Sequence, residues 1–175
     1  ANALQDNTTG AQNTAVGSIA GDAITTGDSN SAFGYAALGV NQTGDNNTAI
    51  GRGSLGNSTG SSNSALGYNA LNVNTSGDHN VAAGTNALLS NTVASGGTAV
   101  GSAALYSNTT GASNTAVGRK ALFSNTTGDR NVALGFEALD VNTTGDNNSA
   151  VGETALGANT TGGNNVAIGK SALAT

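Results

Sequence analysis

The sequence contains no cysteine, proline, methionine or tryptophan, and only 9% of its residues are charged. Without cysteine there can be no disulfide framework and no thiolate metal site. A single histidine leaves no second imidazole for a zinc centre. Five Lys and Arg cannot neutralise a phosphate backbone, so nucleic acid is not an expected partner. No apolar run reaches the roughly twenty residues of a membrane-spanning helix, so direct membrane insertion of this segment is not expected. No charged-then-apolar opening marks a signal peptide. Serine is plentiful, but a hydrolase needs a base in reach of its nucleophile, and the glycines never form a Walker loop. Neither an enzyme nor a cofactor is expected.

Hydrophobic residues make up 37% of the chain and glycines number 27, a balance that by itself suggests disorder. Disorder normally brings high net charge or proline, and here the net charge is only −5 with no proline. Order must then reside in periodicity. Gly17, Gly34, Gly51, Gly67, Gly84, Gly101, Gly118, Gly135, Gly152 and Gly169 each close a short Ala-apolar pair. They recur every seventeen residues, except for one step of sixteen between Gly51 and Gly67. In that step Leu55-Gly56-Asn57 stands where other copies read Leu-x-x-Asn, so a loop residue is expected to be missing there. Repeats of this kind indicate a solenoid. Both ends break off within a repeat without a capping unit, as expected of a segment of a longer fibre protein. Residues 1–175 are read as one such domain.

Before each of those glycines stands an apolar column: Val16, Phe33, Ile50, Leu66, Ala83, Val100, Val117, Leu134, Val151 and Ile168. One residue earlier is an unbroken alanine column: Ala15, Ala32, Ala49, Ala65, Ala82, Ala99, Ala116, Ala133, Ala150 and Ala167. Runs such as Asn114-Thr115-Ala116-Val117-Gly118 are short, β-branched and bounded by turn residues, which predicts strands. Alternation puts Val117 and Thr115 on one face and Ala116 on the other. Asn125-Thr126-Thr127-Gly128-Asp129 is turn chemistry. The prediction is an all-β parallel β-solenoid of about ten 17-residue coils, each with two strands of about four to five residues. At about 4.8 Å per coil the rod would be about 48 Å long. The Leu and Val ladders are expected to fill the coil, and Asn13, Asn47, Asn80 and Asn114 to stack, with Gly97 as the gap. So thin a core poorly offsets the ordering of its backbone. The alanine ladder is therefore a candidate for close packing against another chain; the alternative is that small residues simply fit a narrow interior.

Several columns carry possible chemistry. His79 is expected to be a solvated loop residue. Asp28, Asp45, Asp78, Asp129 and Asp146 follow the turn glycine; they read as turn formers, with calcium between coils as the alternative. Thr9, Thr26, Thr43, Thr59, Thr110, Thr127, Thr144 and Thr161 form a ladder of the kind that orders water on ice-binding solenoids. Tyr106 and Phe123 share a column in adjacent coils and should stack. They form a candidate patch for a partner or for packing between chains.

Asn131-Val132-Ala133-Leu134-Gly135 and Asn165-Val166-Ala167-Ile168-Gly169-Lys170-Ser171-Ala172 resemble the YadA-like head repeat of trimeric autotransporter adhesins, roughly Asn-Ser-Val-Ala-Ile-Gly-x-x-Ala/Ser. The resemblance extends over essentially the whole chain. It implies a left-handed β-roll, a homotrimer and display at the outer membrane of a Gram-negative cell, where the head attaches to host surfaces or extracellular-matrix proteins. The period of seventeen exceeds that family's usual fourteen or so, and no neck, stalk or anchor is present in these residues. Similar repeats occur in phage tail fibres, so a tail-fibre segment and an ice-binding solenoid stand as alternatives.

Overall fold

A computed structural model describes residues 2–174. They form an all-β parallel solenoid of about nine turns, about 17 residues per turn, with no helix. Each coil contributes one three-residue strand: β1 (Thr14–Val16), β2 (Ser31–Phe33), β3 (Thr48–Ile50), β4 (Ser64–Leu66), β5 (Val81–Ala83), β6 (Thr98–Val100), β7 (Thr115–Val117), β8 (Val132–Leu134), β9 (Ser149–Val151) and β10 (Val166–Ile168). The strands pair in sequence order and in register, Ala116 beside Ala99 and Ala133.

The second strand expected in each coil does not form. Its place is taken by turns in which alternate residues adopt positive φ, for example Lys120 (58°) and Leu122 (52°). Left-handed backbone costs an ordinary residue about 1–2 kcal/mol. Burying the leucine side chain, worth about 1.5–3 kcal/mol, offsets it. The ladder between coils continues through this kinked segment. The Leu122 amide donates to Ala138 at 3.0 Å, and Lys120 to Ser102 at 3.0 Å.

Alternation along the strand is as expected, but the inward face is the opposite one. Ala116, Ala133 and Ala150 are fully buried inside their own coil, while Val117 and Leu134 point outward, each 37% exposed. The alanine ladder, read as a surface for another chain, is thus the coil's own wall. The reason is width. Leu105, Leu122 and Leu139 and a second alanine column already occupy the interior, leaving room for one methyl per strand. Ser54 substitutes in that second column by turning its hydroxyl onto the Gly51 carbonyl at 2.9 Å.

Asparagines form the rest of the interior. The predicted ladder is present: the Asn131 amide N–H donates to Asn114 Oδ1 at 2.8 Å, and Asn131 Nδ2 donates to the Gly145 carbonyl at 2.8 Å. At the gap, the Gly97 amide still donates to Asn80 Oδ1, at 2.8 Å. A second ladder, not anticipated from the sequence, joins Asn91, Asn108, Asn125, Asn142 and Asn159. Nδ2 of each of the last four reaches Oδ1 of the one before at 2.8–3.1 Å. Fully satisfied buried amides of this kind hold a unique register. Asn41 is the exception. The preceding coil offers Ile24 at this position, and Asn41 Nδ2 is left without an acceptor. In the short coil Ser58, not Asn57, fills this column and accepts from Asn74 Nδ2 at 3.1 Å. The missing residue therefore belongs to the Thr-Thr turn, not to the segment after Leu55.

Candidate ligand-facing surfaces

Two faces of the solenoid are open. The first is the outer face of the sheet. Apart from Ala83, its apolar column from Val16 to Ile168 is between 36% and 74% exposed. Beside it Val81 and Val166 are exposed as well. Ala83 interrupts the row, and with Ile50, Leu66 and Val81 it lines an apolar notch of about 300 Å³. Nine large apolar residues in one row, broken only at Ala83, differ from the scattered single hydrophobics of an ordinary surface.

The second is the Thr-Thr-Gly-Asp turn. Its aspartates are structural acceptors. Asp129 Oδ1 accepts the Ala112 amide at 2.7 Å, and Asp146 Oδ1 accepts the Asp129 amide at 2.7 Å. Serine serves equally in this column, as where Ser61 Oγ accepts the Asp45 amide at 3.1 Å. That exchange explains why Asp and Ser alternate there. Among the described residues, no three His, Asp or Glu side chains gather as a metal site. His79 is an exposed turn residue at φ 59°.

Where a turn carries two threonines, they have different roles. Thr126 Oγ1 donates to the Thr143 carbonyl at 3.0 Å, and Thr109 Oγ1 to Thr126 at 2.9 Å. Thr110, Thr127, Thr144 and Thr161 are exposed, but they form one rank only, with Ser76 and Val93 standing in it.

Tyr106 and Phe123 stack as expected, centroids 5.1 Å apart and planes at 18°, with both rings half-buried. Lys120 Nζ lies 5.7 Å from the Phe123 centroid. Asp140 follows in the same column. Partial burial raises its carboxyl above the usual range, and neighbouring Glu137 adds to the effect. Arg119 and Lys120 both approach Glu137, at 3.9 and 3.7 Å.

A further column lies just past the corner glycine, where the sequence shows the aromatics Tyr35, Tyr68 and Phe136 as candidate partner anchors but no motif marks Arg52 and Arg119 beside them. In it the Arg52 guanidinium stands between two phenol rings, 5.6 Å from the Tyr35 centroid and 5.9 Å from that of Tyr68. Arg119 lies 4.4 Å from the Phe136 centroid in the same column, and Lys170 pairs with Glu153 at 3.1 Å. The signal in the sequence was the spacing of Tyr35, Arg52 and Tyr68 by one coil each.

No protein-family model matches this chain, and no curated protein and no solved structure matches it either.

Proposed function

We propose that this chain is a segment of a surface-displayed adhesive fibre, built like the heads of trimeric autotransporter adhesins, and that it works as a homotrimer. The observation that supports this is the outward apolar strip of the sheet. Three rods laid side by side would bury those ladders together and add the core that a single narrow coil lacks. The ladders, not the buried alanines, are then the contact between chains. Mechanically the module is a rigid spacer. Repetition gives stiffness, and three identical flanks multiply weak contacts to a host surface or matrix protein. The outer-membrane setting and the adhesive role come from the resemblance of the repeats.

Sedimentation tests the assembly. At micromolar concentration the chain should run as a trimer, and the pair Val100→Lys and Val117→Lys should yield a folded monomer with unchanged circular dichroism. A native chain that is monomeric and stable at that concentration would sink the proposal. An ice-binding role has less support, because the free threonines stand in a single rank on a turn. Absence of thermal hysteresis would eliminate it.

A further inference from the structure

We infer that Tyr35, Arg52 and Tyr68 form a carboxylate-binding site whose ligand is a glycan bearing a carboxylated sugar. The inference names a ligand class for the displayed rod and rests on that reading only for its biological setting. Of the five Lys and Arg, Arg119, Lys120, Arg130 and Lys170 each have a carboxylate within 4.0 Å. Arg52 alone, among the described residues, has none. In a chain of net charge −5 an unpaired guanidinium stands out. The contrast with Arg119 is internal: both lie beside aromatic rings, but Arg119 has the Glu137 carboxylate 3.9 Å away.

Tyr35 and Tyr68 flank the guanidinium, its carbon 5.6 and 5.9 Å from their ring centroids, and leave its N–H donors free for a ligand. A planar fork flanked by two rings and lacking a protein carboxylate is suited to a bidentate carboxylate ligand. The tyrosines are 52% and 47% exposed, so their hydroxyls can reach a ligand as well. The class of ligand follows from what surrounds the site. A polyanion is disfavoured by Asp28 and Asp45 in the same coils and by the overall charge. An extended peptide gains no strand to pair with, because each inner strand already has two neighbours. A polar ring with a single carboxylate and several hydroxyls matches one guanidinium and two phenols. A single such contact is weak, which suits a module whose copies act together.

The test is a proton–nitrogen NMR titration of the full chain with three probes: glucuronate, glucose and acetate. Glucuronate should give saturable shifts confined to the amides around Tyr35, Arg52 and Tyr68. Acetate should bind at least about fivefold more weakly, and glucose should not bind. Arg52→Gln should weaken glucuronate by at least about tenfold, the loss of one charge-assisted pair. Arg52→Lys should not restore it, because an ammonium lacks the fork. Arg119→Gln should leave the affinity unchanged. No saturable shift with glucuronate, or full binding by Arg52→Gln, would overturn the site. Acetate binding as tightly as glucuronate would overturn the sugar assignment, and glucose doing so would overturn the carboxylate. Sedimentation of the same samples reads assembly separately, so a binding-competent monomer would refute the trimer and leave this site standing.

Discussion

Replacing Gly101 with alanine separates the two reasons a glycine is needed at each corner. Gly101 has φ 131°, and a Cβ built there would lie 2.6 Å from the Gly118 carbonyl oxygen and 2.7 Å from its carbon. Ordinary contact begins near 3.4 Å, so the coils would have to part by about 0.8 Å. Across that gap the Gly118 amide donates to Val100 at 2.8 Å and the Lys120 amide to Ser102 at 3.0 Å. Stretched by that amount, neither remains a hydrogen bond. Overpacking costs about 1–3 kcal/mol, and each weakened bond about 0.5–1.5 kcal/mol. With the unfavourable dihedral added, the expected loss is about 3–5 kcal/mol. Gly96 is the control. It also has positive φ, 71°, but the nearest atom to its built Cβ is Ser113 Oγ at 3.6 Å. Gly96→Ala should cost only the dihedral term, about 1–2 kcal/mol. Denaturant unfolding gives the total for each variant. Hydrogen exchange should show protection falling in the coils next to residue 101 and little change for the control. Equal losses in the two variants would refute the steric account and leave only dihedral preference.

The asparagine ladder makes a similar contrast. Asn125→Leu strands Asn108 Oδ1 and removes one of two partners from the Gly128 carbonyl and from Asn142 Nδ2, which keep Asn114 Nδ2 and the Gly145 carbonyl, and should cost about 2–4 kcal/mol in denaturant unfolding. Asn41→Leu should cost less, since its Nδ2 has no acceptor to lose and only the Gly44 amide, 2.8 Å from Asn41 Oδ1, loses its partner. Ala116→Leu should abolish folded circular dichroism, not merely assembly, because its methyl is fully buried inside the coil; a folded monomer from that variant would return the alanine ladder to the outside. Asp140 has a folded carboxyl titrating above its ordinary value of 3.8, so the native state binds the proton more tightly than the unfolded chain. Stability should therefore fall as pH rises from that ordinary value through the raised one. Asp140→Asn should remove that slope and slightly raise the melting temperature at neutral pH, read by thermal scans across pH 3 to 7 (roughly the carboxylate range).

Much of the architecture was legible because a repeat reports on itself. Seventeen-residue recurrence, strand alternation and the turn around Gly128 can be read without coordinates, and so can the Asn114–Asn131 ladder and the stacking of Tyr106 on Phe123. The second asparagine ladder was hidden within ordinary turn composition. Asn125 looks like any turn asparagine until its neighbours at 108 and 142 are brought into line. The Arg52 clamp was equally diffuse, since tyrosine and arginine in one column carry no motif.

The sequence by itself determined the coil length, the order of strands and which side chains share a face, because these follow from period and from the alternation of a β-strand. It could not decide which face lies inside. That depends on how much space the kinked Leu122 segment leaves across the coil, and the kink rests on leucines at positive φ, a conformation that propensity argues against. Tertiary packing made that choice. It placed Ala116 in the wall and Val117 in the open, and so moved the candidate contact between chains from the alanines to the apolar ladder beside them.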